Sequence, residues 1–272
     1  MAYVAPSASP QRLNTLLQLF EQRNSLHPDS LMHYIGQAVP LAKQLGNDAA
    51  LKQTALFRCY ALMGRGKTDS AIAVADAQMA VLEKLTVHRE LFVRFAILRS
   101  RLFIRQNKHR DATNFAFRAI ALADTLQLPA MQMQSRNAMG LAHMEVGNNR
   151  EAINWFLKGI GFSPRGDTLA FYEVLCANLS SCYNNIGSFD SAFYFAKTAK
   201  ALAVSRQNLS TQANILNIEA DIFLNLKQPA KAEANLAQAL GIRQRIGDLN
   251  FLLSDMAQLA LLYAQTGKTP QG

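Results

Sequence analysis

A periodicity of about 40 residues constrains the fold of this chain more than any other feature of its sequence. Alanine recurs at steps of 41, 40, 40 and 40 residues, at Ala71, Ala112, Ala152, Ala192 and Ala232. Seven residues after these positions follows a second column, which is mostly small: Gln78, Ala119, Gly159, Ala199 and Ala239. Columns that keep one phase over about 200 residues predict a stack of similar units that share one continuous core.

Three further columns predict what each unit contains. Five residues before the first alanine column lies a turn position, occupied by Gly66, Asn107, Gly147, Gly187, Lys227 and, by extension, Gly267. Seven residues earlier stands a small residue, at Cys59, Ser100, Gly140, Ser180, Ala220 and Ala260. Three residues after the small one, the side chain is usually large, at Leu62, Phe103, His143, Tyr183, Phe223 and Tyr263. Glycine and asparagine tolerate positive φ and can close a helix, so each unit is predicted to be an antiparallel helical hairpin.

The stretch from Gly140 to Pro164 resembles a tetratricopeptide repeat. The matching positions are Gly140, Ala142, His143, Gly147, Ala152, Ile153, Phe156, Gly159 and Pro164. The resemblance extends over about residues 11–267 and implies an all-α fold, a right-handed α-solenoid of about six and a half helical hairpins. The period of about 40 residues departs from the roughly 34 that are typical of the family. HEAT-type repeats share this longer period and are the alternative for the fold.

The predicted boundaries divide the chain into one repeat domain and two short tails. We expect residues 1–10 to be a disordered or tag-derived N-terminus, residues 11–267 to form a single solenoid domain, and residues 268–272 to be a C-terminal tail. The hairpins are predicted at about 11–45, 49–85, 89–126, 130–163, 168–206 and 209–246, with a lone final helix at 249–266.

Composition excludes several classes of protein. Half of the 272 residues are apolar, which excludes wholesale disorder. No run of about 18 apolar residues is present, so no membrane insertion is expected. The three cysteines, Cys59, Cys176 and Cys182, have apolar neighbours and no C-x-x-C spacing, which predicts small core residues. The net charge of +9 lacks the dense basic run of a nucleic-acid-binding arm, so no nucleic-acid partner is expected.

The sequence contains no persuasive motif for catalysis, for a metal ion or for a cofactor. Gly66-Lys67-Thr68 resembles the end of a phosphate-binding loop, but Ala61 occupies the position of the earlier glycine that such a loop requires. The five histidines have no His, Cys or acidic partner at a convincing ligand spacing. The chain is therefore predicted not to be an enzyme and to have no catalytic residues, no metal site and no cofactor.

The exposed faces of the first helices carry the candidate ligand-binding residues. In a solenoid of hairpins, one helix of each pair lines the concave surface. In phase with that face are Arg94, Arg101, Arg105, Gln134, Asn137, Asn178, Ser181, Asn184, Asn185, Asn214, Asn217, Asp221 and Asn225. Asparagine is a poor helix former whose amide both donates and accepts, so a row of them is predicted to hold a peptide backbone. The arginines could hold a carboxylate or phosphate. Alternatively, the asparagines solvate the groove or bond between neighbouring helices.

Two other segments are similar to units of bacterial signalling proteins that contain tetratricopeptide repeats. They are Pro28-Asp29-Ser30-Leu31, continued by residues 41–47, and the segment from Ala239 to Asp248. The resemblance implies a non-catalytic sensing module that binds a protein or peptide, attached to a histidine kinase or to a DNA-binding response module. It further implies a periplasmic location for a kinase sensor region and a cytoplasmic one otherwise. The alternative function is a free-standing cytoplasmic adaptor that scaffolds a protein complex.

The final predicted helix is apolar on more than one face. Its large apolar residues are Phe251, Leu252, Leu253, Met256, Leu259, Leu261, Leu262 and Tyr263. Terminal units of solenoids normally need a polar outer face, and a large exposed apolar patch is a liability. We therefore expect this surface to be covered by a further helix of the chain or by a second copy in a homodimer.

Overall fold

The computed structural model describes residues 9–21, 26–162, 169–246 and 249–267. Within these ranges the helices are joined by short turns and links, and no strand is present. The helices are α1 (Pro10–Glu21), α2 (Pro28–Gln44), α3 (Asp48–Gly64), α4 (Thr68–Leu82), α5 (Arg89–Arg105), α6 (His109–Thr125), α7 (Pro129–Glu145), α8 (Asn149–Ile160), α9 (Leu169–Asn185), α10 (Phe189–Ser205), α11 (Leu209–Asn225), α12 (Pro229–Ile246) and α13 (Leu249–Thr266). None of these helices combines the length and the apolar character that crossing a bilayer requires.

The chain divides into two compact units, Met1–Met131 and Gln132–Gly272. In the first unit, α3 packs on α4 and α5 on α6, and the first helices α3 and α5 also contact each other. In the second unit, α9 packs on α10 and α11 on α12, α9 also contacts α11, and α13 packs on α12. Each unit therefore consists of stacked helical hairpins, whereas the single domain predicted over residues 11–267 stays a prediction.

The turn column of the repeat has the backbone conformation that the sequence predicts. All six of its residues have positive φ, from 57° at Asn107 to 77° at Gly187, and Lys227 is among them at 59°. After each of the first five, the next backbone N–H donates to the carbonyl of the large-residue column, as Lys108 does to Phe103 at 2.9 Å. This bond closes the end of the first helix with a Schellman motif, which sets the reversal into the second helix.

The small columns lie where the two helices of a hairpin meet. Ala71, Ala112, Ala152, Ala192 and Ala232 are fully buried. The Ser180 hydroxyl donates to the Ala192 carbonyl at 2.8 Å, which joins the small column of a first helix to the alanine column of the second. At Gly140, a Cβ would lie 2.3 Å from Cε1 of Phe156, so any side chain would collide with the ring. Ala260 is the exception in its column, because it is exposed.

The three cysteines are core residues, as the sequence predicts. Cys59, Cys176 and Cys182 are unpaired thiols with no exposed surface. Burial raises the pKa of each thiol to about 12, so all three remain protonated at neutral pH.

Candidate ligand-binding surface

The predicted arginines of the first unit all lie on α5 but differ in their partners. Arg94 is half-buried, and its Nη2 lies 3.0 and 3.1 Å from the two carboxylate oxygens of Glu21 on α1. Arg105 is exposed and donates to the Met63 carbonyl on α3 at 3.2 Å. Arg101 is also exposed, and no described residue forms an ion pair or hydrogen bond with it. Arg101 and Arg105 therefore present guanidinium groups that an external anion could reach.

The positive charge of the chain is concentrated in the first unit. Residues 1–131 contain 16 Lys and Arg against 9 Asp and Glu, an excess of seven, whereas residues 132–272 contain 12 against 10. An acidic ligand would therefore be attracted to the first unit over distances of about 8–10 Å at physiological salt. This excess is interleaved with apolar residues rather than collected in one dense basic run.

A shallow cleft beside Arg94 belongs to the same unit and was missed from the sequence. It encloses about 260 Å³ and is lined by Asn14, Leu17, Gln18 and Glu21 of α1 and by Gln53 of α3. Asn14, Gln18 and Glu21 stand at i, i+4 and i+7, so their shared helix face was a readable signal. The Gln53 amide lies 3.5 Å from the Glu21 carboxylate, which places polar groups from both helices around the cleft.

A buried arginine of α5, Arg99, was also missed from the sequence. Its Nη2 is 2.9 Å from Asp76 of α4, and its guanidinium carbon is 4.3 Å from the centre of the Phe103 ring. Burial lowers the pKa of Arg99, because desolvation disfavours the charged form. Arg99 thus ties α5 to α4 and is not available to a ligand.

In the second unit, the predicted asparagines bond to one another across helices. The Asn178 amide donates to Asn137 Oδ1 at 2.7 Å, which joins α9 to α7. The Asn225 amide donates to Asn184 Oδ1 at 3.0 Å, which joins α11 to α9, and Asn184 is buried. Asn185 donates to Asn149 of α8 at 3.2 Å. These amides satisfy part of one another's hydrogen-bonding capacity, so these asparagines do bond between neighbouring helices.

Asn214 and Asn217 belong to a charged network at the base of α13. Arg243 is completely buried, and its Nε lies 3.2 Å from Oδ2 of Asp255, which is also buried. The Asn217 amide donates to the other oxygen of Asp255 at 2.6 Å, and Arg243 donates to Asn214 Oδ1. A buried ion pair of this kind is tolerated only when its remaining donors and acceptors are satisfied, and the two asparagines contribute to that.

The other predicted residues of the second unit are less engaged. Gln134 and Ser181 are half-buried, and the Ser181 hydroxyl donates to the Ala177 carbonyl of its own helix at 3.4 Å. Asp221 has an exposed surface, yet the protein atoms crowded around its carboxyl desolvate it and raise its pKa. The binding of a ligand by any of the thirteen predicted residues stays a prediction.

Comparison with known proteins finds similarity of fold rather than of sequence. No family model matches the sequence, and no curated protein is significantly similar to it. BtubC (BKLC) from P. vanneervenii is a similar solved structure, with 16% identity and a TM-score of 0.61 over 81% of this chain and 91% of that one. A Rap protein complexed with Competence and Sporulation Factor has 13% identity and a TM-score of 0.64 over 93% and 74%.

A third similar structure has a tetratricopeptide repeat sensor. It is the Signal Transduction ATPase with Numerous Domains protein PH0952 from Pyrococcus horikoshii. Its identity is 12% and its TM-score 0.67, over 96% of this chain and 41% of that one. The sequence pattern, the helical hairpins and these similarities agree, and the chain has the all-α solenoid fold of a tetratricopeptide-repeat-like protein.

Proposed function

We propose that this chain is a non-catalytic binding module of a bacterial signal-transduction protein, and that it recognises an acidic peptide or protein segment. The observation that carries the proposal is the exposed pair Arg101 and Arg105 on α5, within a unit that has an excess of seven positive charges. Guanidinium groups bind carboxylates and phosphates with directed, charge-assisted hydrogen bonds.

The regulatory part of the proposal is supported by the fold. The similar Rap structure was solved with Competence and Sporulation Factor, and PH0952 carries its repeats as a sensor. By analogy of fold, a segment bound on the first helices would act by changing which partners the module contacts. An adaptor that scaffolds a complex would bind its partner on the same surface. In that case, binding would not have to change the activity of an attached effector domain.

A fluorescein-labelled hexaglutamate peptide tests the proposed binding surface. We expect the wild-type chain to bind this probe, as measured by fluorescence anisotropy. The double substitution Arg101→Glu with Arg105→Glu should weaken binding more than tenfold, because two cationic contacts become repulsive. Weakening of the wild-type complex by added salt would agree with the proposed electrostatic attraction.

The control makes the same change of charge elsewhere in the same unit. Lys84 and Arg110 are exposed, and Lys84→Glu with Arg110→Glu should leave the affinity within about threefold of the wild type. Equal losses from both double variants would mean that only net charge matters. No binding by the wild type, or tighter binding of a DNA oligonucleotide, would contradict an acidic peptide as the ligand.

A further inference from the structure

One side of helix α13 packs on the last hairpin, and the opposite side is exposed. Its inner side places Leu262 and Asp255 in the interior, at 3% and 1% exposure, against the helices of the last hairpin. On its outer side, Leu253, Met256 and Leu261 are 73%, 51% and 60% exposed. The small residues Ala257, Ala260 and Ala264 are exposed as well.

The internal repeat indicates what covers such a face. Ala260 continues the column that contains Ser100, Gly140, Ser180 and Ala220, and these earlier members are all buried. In α9, the Ser180 hydroxyl bonds to the Ala192 carbonyl at the start of α10, so the covering element is the second helix of the hairpin. The exposed face of α13 therefore has the register of a surface that receives a second helix.

The second helices present a characteristic spacing on their buried side. In α6 the buried alanines are Ala112, Ala116, Ala119 and Ala123, and in α10 they are Ala192, Ala196, Ala199 and Ala203. Both sets stand at i, i+4, i+7 and i+11. The exposed stripe of α13 has the same spacing, at Leu253, Ala257, Ala260 and Ala264. The exposed face of α13 therefore lies at the repeat position where a first helix packs against its second helix. Its own residues have the spacing that second helices use in the same contact.

We propose that α13 pairs with α13 of a second copy, antiparallel and about a twofold axis, so that each serves as the second helix of the other's last repeat. A twofold contact requires a self-complementary surface, and this stripe has that property. Ala257 and Ala260 lie near its middle and allow close approach of the helices, while Leu253, Met256 and Leu261 fill the space beside them.

Charge favours a second copy as the occupant of this face. The only charged residue of α13 is Asp255, which is buried against Arg243. Two copies of the stripe therefore meet without like charges, and their helix dipoles are antiparallel. This interface uses residues of the second unit, whereas the surface proposed to bind a peptide uses arginines of the first.

Light scattering on the whole chain tests the interface. We expect twice the 30.0 kDa chain mass at about 100 μM and dissociation on dilution. Leu253→Glu with Leu261→Glu should give a monomer over the same concentrations, with the circular dichroism and melting temperature of the monomeric wild type. Val204→Glu, an equivalent change at a 56% exposed valine of α10, should remain dimeric.

Cross-linking tests the antiparallel arrangement and does not depend on the charged variants. Leu253→Cys and Ala264→Cys are made separately, mixed, and treated with a short bismaleimide, to which the three buried native thiols do not react. An antiparallel pair should cross-link the two variants to each other, because position 253 of one copy lies near position 264 of the other. A parallel pair would hold these positions about 16 Å apart and instead cross-link each variant to itself.

The proposal would be overturned by a wild type that stays monomeric at about 100 μM, by a dimer that survives Leu253→Glu with Leu261→Glu, or by cross-linking of each variant only to itself. A chain extended beyond residue 272 that protects α13 as a monomer would assign the face to a helix of the same chain.

Discussion

At the scale of single residues, the small columns of the repeat set how closely two helices approach. Gly140 of α7 faces the fully buried ring of Phe156 on α8, and Gly159 faces Leu175 at 3.0 Å from an added Cβ. Glycine normally destabilises a helix interior by about 0.5–1 kcal/mol relative to alanine. At these two positions, contact between helices compensates for that loss.

Gly140→Ala should therefore destabilise the protein although alanine is the better helix former. The new Cβ would lie 2.3 Å from the Phe156 ring, and displacing a buried ring costs about 1–3 kcal/mol. Urea denaturation measures the change in the free energy of unfolding. Gly241→Ala in α12, where nothing lies within 4 Å of the added Cβ, should instead stabilise by about 0.5–1 kcal/mol. Equal effects of the two substitutions would contradict the packing argument.

Asp221 should make stability depend on pH in the direction opposite to that of a paired carboxylate. Desolvation raises its pKa in the folded chain above the ordinary value of 3.8, so the folded state holds this proton more tightly. Stability is then lost as pH rises from about 3.8 through the raised pKa. We expect Asp221→Asn to melt at a higher temperature than the wild type at pH 7, and the difference to vanish near pH 3. A constant difference across this range would exclude the carboxyl's ionisation as the cause.

At the scale of helices, polar side chains bind neighbouring repeat units together. The amide pairs Asn137–Asn178 and Asn184–Asn225 each join the first helices of successive hairpins. At the last helix the joint is ionic, since Arg243 of α12 and Asp255 of α13 form a fully buried pair. We infer that this pair fixes how α13 packs more than it adds net stability, because any other docking would leave a charge buried without its partner.

Asp255→Asn should loosen α13 in particular. Removing the carboxylate leaves the Arg243 guanidinium buried without its counter-charge, which costs about 3–5 kcal/mol. Hydrogen exchange followed by mass spectrometry should show lost protection in α13 and unchanged protection in α9. Glu83→Gln removes a pair with Arg118 in which both partners are exposed, and it should cost less than about 1 kcal/mol. Uniform loss of protection would mean that α13 is not a separable element.

At the scale of the whole molecule, the chain divides into two compact units, and each unit consists of stacked helical hairpins. Within a unit, each hairpin is stabilised by its neighbours in sequence, so the cooperativity of unfolding depends on coupling between adjacent hairpins. The net charge differs between the two units, because Lys and Arg exceed Asp and Glu by seven in the first unit and by two in the second.

Thermal unfolding should therefore depart from two-state behaviour. We expect the calorimetric enthalpy to exceed the van't Hoff enthalpy in differential scanning calorimetry, because hairpins unfold in more than one step. Hydrogen exchange would then report different opening free energies for the two units. Equal enthalpies would indicate that all hairpins unfold together.

The repeat pattern was sufficient to predict the helices and the turns inside the hairpins. Lys227 has positive φ as its phase predicts, although lysine is not a residue that favours this conformation. Gln127 and Gln207 have positive φ in the links between hairpins, and they were not predicted. Neither is a glycine or asparagine, and the repeat columns were aligned on the turns inside hairpins rather than on the links.

The sequence by itself determined the hairpins, the turn positions and the buried small residues, because these depend on spacing along a helix and on backbone conformation, which are local. Only the tertiary structure decided how the polar side chains are used. Asn178 bonds to Asn137 and Asn217 to Asp255, across separations of 41 and 38 residues. Whether an amide faces a ligand or another amide depends on the neighbouring helix at that point, and helical periodicity holds no information about it.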